Sequence, residues 1–266
     1  MMSASKIRVG IGGWNFEPWR DNFYPKGLPQ HRELAYASSK LTAIEINSTY
    51  YSSQKATTFA KWRDETPESF MFSLKASRFA TNRRVLAEAG ESVQRFVESG
   101  IAELGEKLGP IVWQFAPTKK FDPVDFEAFL KLLPAEVSGL PLRHAMDVRH
   151  ASFQSTDYLA LARRHGVATV FTESEDHPPI ADATGPFIYS RVMRTAPELP
   201  QGCTPAVLDG LAASCRKWQA GGTPSGLPLL EPAPAAGSER DVFLFFISGA
   251  KERAPAAAMA LLDRLE

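Results

Sequence analysis

Short runs of alternating apolar and polar residues recur along the chain, and helical patterns separate most of them. Strict alternation is typical of a strand, because successive side chains point to opposite faces. The pattern predicts eight strands, at 7–12, 41–51, 69–75, 110–115, 143–149, 167–173, 187–192 and 241–247. Helical spacing predicts helices at 30–40, 54–64, 86–108, 122–133, 152–165, 203–219 and 252–265.

The second of these strands has an unusual inner face. Ile44 and Ile46 point one way, whereas Glu45 and Asn47 alternate with them and point the other. A parallel strand between helices is covered on both sides, so neither face is free for solvent. A buried carboxylate or amide needs a partner. We therefore expect Glu45 and Asn47 to point into a closed barrel, near the loops at the strand end.

Eight strands with helices between most of them predict an α/β fold, a single (β/α)8 TIM-type barrel that spans residues 1–266 as one domain. The connection between strands six and seven is short and rich in helix breakers, which predicts a degenerate connection without a full helix. A doubly wound open sheet is the alternative. The first strand, however, lacks the G-x-G-x-x-G turn that leads into a helix in such folds.

Composition narrows the function classes. With 44% hydrophobic and 23% charged residues, the chain has no apolar run near the roughly 20 residues of a membrane span, so no membrane partner is expected. Its net charge of zero argues against a general nucleic-acid binder, although a local basic groove stays possible. The beginning of the chain has no signal-peptide pattern, which indicates a cytoplasmic protein.

Polar residues collect at the carboxyl ends of the predicted strands, where TIM barrels carry their functional residues. Alternation turns the following residues inward there: Glu45, Asn47, Lys75, Gln114, Asp147, Arg149, Glu173, Tyr189 and Arg191. One interpretation is a self-neutralising salt-bridge network that holds the barrel mouth in shape. Buried ion networks stabilise less than apolar packing does, so a ligand site is favoured.

The favoured hypothesis is an enzyme, a hydrolase or a lyase, that binds a small polar or anionic ligand. The predicted catalytic residues, which supply acid, base or proton-donor groups, are Glu45, Asp147 and Tyr189. The predicted ligand-binding residues are Trp14, Asn47, Lys75, Gln114, Arg149, His150, Glu173 and Arg191. Among them the lysine and the arginines suit phosphate or carboxylate groups.

Two other functions remain open. The first is a metal-dependent phosphoesterase that acts on nucleotides or nucleic acid, for which Glu45, Asp147, Glu173 and His150 are suitable residue types. No H-x-x-x-H spacing supports such a site, so no metal ligand is assigned. The second is a non-catalytic protein that binds a metabolite or nucleic acid through the aromatic segment 14–24. The sequence indicates neither a cofactor nor an oligomeric state.

The chain also resembles the YecE-like family, known as domain of unknown function 72. The resemblance rests on G-I-G-G-W at 10–14, E-I-N-S-T-Y-Y at 45–51, L-G-x-K-L-G-P-I at 104–111, D-V-R-H at 147–150 and Y-x-R at 189–191. It implies a TIM barrel with a site at its mouth, but no particular reaction. Segments 192–197 and 246–248 depart from the family's usual motifs, so contributions from strands seven and eight are expected to differ.

Overall fold

The computed structural model describes residues 6–20, 22–174 and 176–266. The strands in these ranges are β1 (Ile7–Gly12), β2 (Ala43–Ile46), β3 (Met71–Lys75), β4 (Leu108–Gln114), β5 (Glu136–Val137), β6 (Leu140–Pro141), β7 (His144–Asp147), β8 (Ala168–Glu173), β9 (Ile188–Val192) and β10 (Val242–Phe246). Apart from β5 and β6, they are parallel and close into a barrel in the order β1-β10-β9-β8-β7-β4-β3-β2. The predicted TIM-type barrel is confirmed.

Helices cover the outside of the barrel. They are α1 (Glu33–Lys40), α2 (Ser48–Tyr51), α3 (Ala56–Asp64), α4 (Arg78–Thr81), α5 (Gly90–Val97), α6 (Pro123–Lys131), α7 (Thr156–Arg164), α8 (Pro205–Gln219) and α9 (Ala254–Leu265). No helix of the described ranges is long and apolar enough to cross a membrane. The second predicted strand is shorter than the alternating stretch 41–51, because α2 begins directly after β2.

The predicted continuous helix 86–108 is wrong. The segment contains a 3-10 turn (Leu86–Ala89), then α5, then a further 3-10 segment (Ile101–Lys107). The break lies at Gly100, whose φ of 107° is left-handed and ends the helix. A Cβ at this position would lie 2.6 Å from the Cα of Ala56, so the close approach of α3 also requires glycine there.

A two-stranded hairpin was not predicted. Strands β5 and β6 pair in antiparallel fashion outside the barrel, between α6 and β7. Ser138 (φ 51°) and Gly139 (φ 77°) connect them, and two successive positive φ angles are typical of a tight primed turn. A strand of two residues is too short to show an alternating pattern. Only the Ser-Gly pair could have indicated the hairpin.

The connection between β8 and β9 has no helix in its described residues, 174 and 176–187, as the sequence predicts. Its chain is held by side chains. The carboxylate of Asp182 accepts hydrogen bonds from the backbone N–H groups of Leu230 (2.9 Å) and Glu231 (3.2 Å). The hydroxyl of Thr184 donates to the carbonyl of Val167 (2.8 Å). These bonds replace the packing that a helix provides elsewhere in the barrel.

An apolar layer fills the lower interior of the barrel. Its members are Ala43, Met71, Val112, Ala145, Ala168, Val170, Phe187, Tyr189, Phe243 and Phe245. The rings of Tyr189 and Phe245 stack with centroids 5.2 Å apart. Because side chains alternate along each strand, the next inward residues toward the carboxyl ends form a layer above this core. Strand register places Gln114 beside Asp147 and Thr172 beside Arg191 in that layer.

Candidate active site at the barrel mouth

Arg191, on β9, is the centre of the polar layer. Its Nη2 donates to Oε1 of Glu45 (2.8 Å) and its Nη1 donates to Oδ2 of Asp147 (2.6 Å). All three side chains are at most 1% exposed. Burial alone would lower the pKa of Arg191, but the two carboxylates raise it above its ordinary value. The guanidinium therefore stays charged and joins two strands on opposite sides of the barrel.

A second guanidinium, that of Arg149, covers the same aspartate. Its Nη2 lies 2.8 Å from Oδ2 of Asp147 and 2.8 Å from Oε1 of Gln114, which accepts from it. Burial by itself would raise the pKa of Asp147, but Arg191 and Arg149 outweigh it and hold that pKa below its ordinary value. Asp147 is thus an ionised carboxylate between two cations, enclosed at 0% exposure.

Tyr189 links the network to the core below. Its hydroxyl donates to Oε2 of Glu45 (2.7 Å) and lies 2.7 Å from Oγ of Ser73. The serine hydroxyl can also donate to the carbonyl of Pro110 (2.8 Å). Burial first, and then the Glu45 charge, raise the pKa of Tyr189 well above its ordinary value. The phenol therefore keeps its proton and serves as a hydrogen-bond donor to the glutamate.

The structure brings the predicted catalytic residues together but encloses them. Glu45, Asp147 and Tyr189 are each 0% exposed, and both carboxylates have partners on both oxygens. Two carboxylates and two guanidiniums also balance in charge. The predicted salt-bridge network therefore exists, and it forms the floor beneath the mouth.

Lys75, at the end of β3, differs from the other cations of the mouth. Its side chain is buried at 7% exposure, and its Nζ lies 4.2 Å from the ring centroid of Tyr50. No carboxylate of the described residues lies within ion-pair distance of it. Burial first, and then the Arg191 charge, lower the pKa of Lys75 to about 8. The surplus charge of the polar layer is thus held by one lysine.

A cavity of about 760 Å³ opens above this floor. Among the described residues, its cationic lining side chains are Lys75, Arg149, Arg191 and Lys251, and its lining includes no aspartate or glutamate. Asn47, Gln114 and Gln54 add amides, while Trp14, Phe16, Trp62 and Ile247 supply apolar surface. The volume is in the range of small-molecule sites, which combine apolar walls with a few polar groups.

The aromatic segment 14–24 is mostly packed rather than available for binding. Trp19 is fully buried, with its indole N–H donating to the carbonyl of Lys251 (2.9 Å). Tyr24 is 3% exposed, and its hydroxyl donates to the carbonyl of Trp14 (2.6 Å). Trp14 and Phe16 alone of the segment's described aromatics line the cavity. The hypothesis of a stacking platform along the whole segment is therefore reduced to these two rings.

The inward orientation predicted for Glu173 is wrong. Ala168 and Val170 belong to the interior layer, so Thr172 points inward, with its hydroxyl 3.5 Å from Oδ1 of Asp147. Glu173 points to the outside, where its charge acts on the thiol of Cys203. The prediction failed because Thr169 and Glu173, two polar residues of the same parity, suggested an inner face. Thr169 instead points outward, where its hydroxyl lies 2.9 Å from that of Tyr158 on α7. A polar residue with a helix partner does not mark the inner face.

Two predicted ligand-binding residues lie at different places from those expected. Asn47 has helical backbone angles and follows β2 rather than belonging to it, yet it lines the cavity. His150 caps the 3-10 turn Ala151–Phe153: its Nδ1 accepts from the backbone N–H of Ser152 (3.1 Å). It is absent from the cavity lining among the described residues. Its role there is local and structural.

Sequence reasoning missed three residues of the site. Lys251 follows β10, and its Nζ lies over the ring of Phe16 at 4.5 Å. Tyr50, on α2, provides the ring that faces Lys75. His177 lies near Arg149 and Asp147; burial first and then the arginine charge lower its pKa. All three lie after strand ends, in a loop or a short helix, where alternation gives no signal, and only their position after a strand end could have indicated them.

No group of three or more histidine, cysteine, aspartate or glutamate side chains in the described ranges is arranged to hold a metal ion. Cys203 lies just before α8 and Cys215 lies within it, and both thiols are free and buried.

Comparison with known proteins decides the family. The family model described as protein of unknown function DUF72 matches residues 8–266. The chain belongs to the DUF72 family. The predicted resemblance is therefore confirmed. The description of the DUF72 family names no reaction.

Named relatives agree with this assignment. UPF0759 protein YunF of Bacillus subtilis is 25% identical over 189 residues, which cover 68% of this chain and 64% of YunF. UPF0759 protein YecE of Escherichia coli is 25% identical over 150 residues, which cover 55% of this chain and 50% of YecE. The alignments thus span less than two-thirds of either relative.

A solved structure agrees in fold. The DUF72 family protein from Thermotoga maritima has a TM-score of 0.74 at 20% identity, with 97% of this chain and 98% of that chain covered.

Two segments expected from the sequence to differ from the usual family motifs reach the cavity. Segment 192–197 contributes Met193, and segment 246–248 contributes Ile247. Both side chains are apolar, so neither segment adds a charge to the described lining. The cationic lining comes from Lys75 at the end of β3, Arg149 after β7, Arg191 on β9 and Lys251 after β10.

Proposed function

We propose that this DUF72 protein binds a small anionic molecule, bearing a phosphate or carboxylate group, in the cavity at the barrel mouth, and that it acts on that molecule as an enzyme. The observation that carries the proposal is the charge of the described lining: four cationic side chains without a carboxylate. Convergent cations in a concave site favour anions, and guanidinium groups suit phosphate and carboxylate oxygens.

The network that forms the floor explains why the surplus charge faces the cavity. Arg191 and Arg149 are already paired with Glu45 and Asp147, so their charges are largely balanced. Lys75 has no such partner among the described residues. A ligand anion would supply the missing counter-charge, and Lys251 would provide a second contact at the opposite side of the mouth.

The buried residues receive a positioning role in this proposal. Glu45 and Asp147 hold Arg191 and Arg149 in place, and Tyr189 fixes the orientation of the glutamate. A direct acid or base role would need contact with the substrate, which an enclosed carboxylate cannot make without a rearrangement. Groups that reach the cavity, above all Lys75, are therefore the better candidates for contact with the reacting atoms.

Isothermal titration calorimetry with inorganic phosphate and with citrate tests the proposal. We expect binding by the wild-type protein and at least a tenfold loss of affinity in Lys75→Met, because a charge-assisted contact is worth about 1.5–3 kcal/mol. Lys61→Met is the matched control, since Lys61 is an exposed lysine on α3 paired with Glu65. Equal affinities in both variants, or no binding of either anion, would contradict the proposal.

A single-stranded nucleic acid is the second candidate ligand, because an exposed aromatic and cationic surface adjoins the mouth. The Arg78 guanidinium lies 5.7 Å from the ring of Tyr51 and 5.6 Å from that of Phe79. The two rings are 60% and 61% exposed. Aromatic side chains near arginine can stack on bases.

Fluorescence anisotropy with a labelled single-stranded oligonucleotide distinguishes this candidate from the first. Salt-sensitive binding that Arg78→Ala weakens and Lys75→Met leaves unchanged would favour the nucleic-acid function. Absence of binding at low salt would exclude the nucleic-acid function.

The metal-dependent phosphoesterase has no comparable observation in its favour, because the oxygens of Glu45 and Asp147 already accept hydrogen bonds from protein groups.

A further inference from the structure

The position of Lys75 is fixed by its surroundings. It is the last residue of β3, and its carbonyl accepts a hydrogen bond from the hydroxyl of Thr49 (2.7 Å). The ring of Tyr50 lies against its ammonium group at 4.2 Å. A strand-borne side chain held in this way is positioned more rigidly than one on a loop. The amine is therefore presented to the cavity from a defined direction.

The surroundings of this amine disfavour its protonated form. Burial and the neighbouring guanidinium of Arg191 lower the pKa of Lys75 to about 8, whereas the ordinary lysine value is 10.5. At pH 7.5 about a quarter of such an amine is neutral, against about one part in a thousand for an ordinary lysine. A lysine desolvated beside another cation is the arrangement that activates an amine as a nucleophile.

We propose that Lys75 is the nucleophile of the mouth site and forms a Schiff base with an aldehyde or ketone that carries a phosphate or carboxylate group. The inference rests on the proposed function, because the cationic lining of the same cavity would hold the anionic group. It adds to that function the carbonyl class of the substrate and a covalent role for one residue.

The step balances without a further reactant. Neutral Nζ attacks the carbonyl carbon, the C=O π bond breaks, and the oxygen takes up the proton that the ammonium group released. In the resulting carbinolamine a proton moves from the nitrogen to the hydroxyl group, which leaves as water, and a C=N bond forms between substrate and Nζ. The iminium carries one positive charge, as the lysine did, and it withdraws electrons from the adjacent carbon of the substrate. This electron withdrawal suits a lyase or an aldol-type reaction.

The cavity provides for both halves of such a substrate. Gln114 and Arg149 line it on the side of the lysine, and Lys251 lines it from the loop after β10. In a substrate that carries both groups, the charged group can pair with Lys251 or Arg149 while the carbonyl carbon reaches Lys75; free phosphate or citrate has no such carbonyl and pairs with Lys75 itself. Trp14, Ile46 and Ile247 supply apolar wall for the carbon skeleton of the substrate.

Pyridoxal 5′-phosphate is the chemical probe for this step, because it joins an aldehyde to a phosphate group. The full chain is incubated briefly with a low concentration of it at pH 7.5, the imine is reduced with borohydride, and peptides are mapped by mass spectrometry. We expect Lys75 to be labelled at least tenfold faster than the exposed Lys61, with a mass gain equal to the probe less one oxygen atom. Lys251 in the same cavity is an internal comparison.

Phosphate binding by the wild-type protein, measured by calorimetry, and the labelling pattern together separate this inference from the proposed function. Lys75→Arg removes the primary amine but keeps a cation, so the fast label at this position is expected to be lost. Phosphate binding by the wild-type protein without preferential labelling of Lys75 overturns the Schiff base and leaves the anion site intact. Preferential labelling that excess phosphate fails to slow supports the nucleophile and contradicts the anion site. Fast labelling that survives in Lys75→Arg at another lysine also overturns the inference.

Discussion

Removal of the buried guanidinium is the perturbation for which the structure gives the clearest expectation. Arg191→Met keeps much of the side-chain volume but deletes the hydrogen bonds to Glu45 (2.8 Å) and Asp147 (2.6 Å). Asp147 retains Arg149 as a partner. Glu45 retains only the hydroxyl of Tyr189 among its described hydrogen-bond partners. The variant therefore leaves the Glu45 carboxyl group, at 0% exposure, without an ion-pair partner among the described residues.

The magnitude follows from this burial. Breaking a buried ion pair by removal of one partner costs about 3–5 kcal/mol. The surface pair of Arg163 and Glu231 has a comparable N–O distance of 2.6 Å, but its side chains are 39% and 31% exposed. Exposed pairs contribute about 0–1 kcal/mol. Arg163→Met is therefore the matched control, with the same substitution and a similar distance but a different exposure.

Urea unfolding monitored by far-UV circular dichroism measures both variants. We expect Arg191→Met to lose about 3–5 kcal/mol of unfolding free energy, and Arg163→Met at most about 1 kcal/mol. Addition of Glu45→Gln to Arg191→Met should recover part of the loss, because the amide removes the unpaired charge. A loss below about 1 kcal/mol in Arg191→Met would refute the buried network.

Two further predictions concern stability. Because the pKa of Lys75 is lowered to about 8, the unfolded chain binds more protons than the folded one between about pH 8 and 10.5, so wild-type stability should rise through that window. Lys75→Met should raise the unfolding free energy by up to about 3 kcal/mol at neutral pH, with the gain vanishing near pH 10.5; a gain independent of pH contradicts this. Gly100→Ala should cost more than 1 kcal/mol by thermal or urea unfolding, since its φ is 107° and its Cβ would meet Ala56. The helical control Gly90→Ala should be neutral or stabilising, and equal losses in the two would count against the left-handed break.

The barrel itself could be predicted because its strands carry a strong alternating signal. Ile44 and Ile46 face the helices, and Glu45 between them faces the interior, as alternation requires. Parity also brought Asp147, Lys75 and Arg191 to one end, although they are far apart in sequence. These positions depend on the two-residue repeat of a strand and on the closure of the sheet, which both follow from local pattern.

The remaining features depend on partners that a local pattern does not contain. Glu173 points outward because Ala168, Val170 and Thr172 form the inner face of β8. The outward Thr169 bonds to Tyr158 of α7, a tertiary hydrogen bond that sequence parity cannot reveal. Lys251 reaches the cavity from a loop, and Gly100 breaks a helix because α3 packs against it. Alternation likewise does not distinguish an enclosed carboxylate from an accessible one. The treatment of residues 1–266 as one domain and the cytoplasmic location stay predictions.

The most direct measurement of the central claim is a crystal structure of the wild-type protein soaked in sodium selenate, with anomalous data collected at the selenium edge. The protein is expressed with ordinary methionine, so that selenium marks the anion alone. The account predicts an anomalous peak in the mouth cavity within hydrogen-bond distance of Lys75 Nζ, and its loss in Lys75→Met. Selenate found only on the outer surface, with the mouth cavity empty, would contradict the claim that the barrel mouth is an anion site.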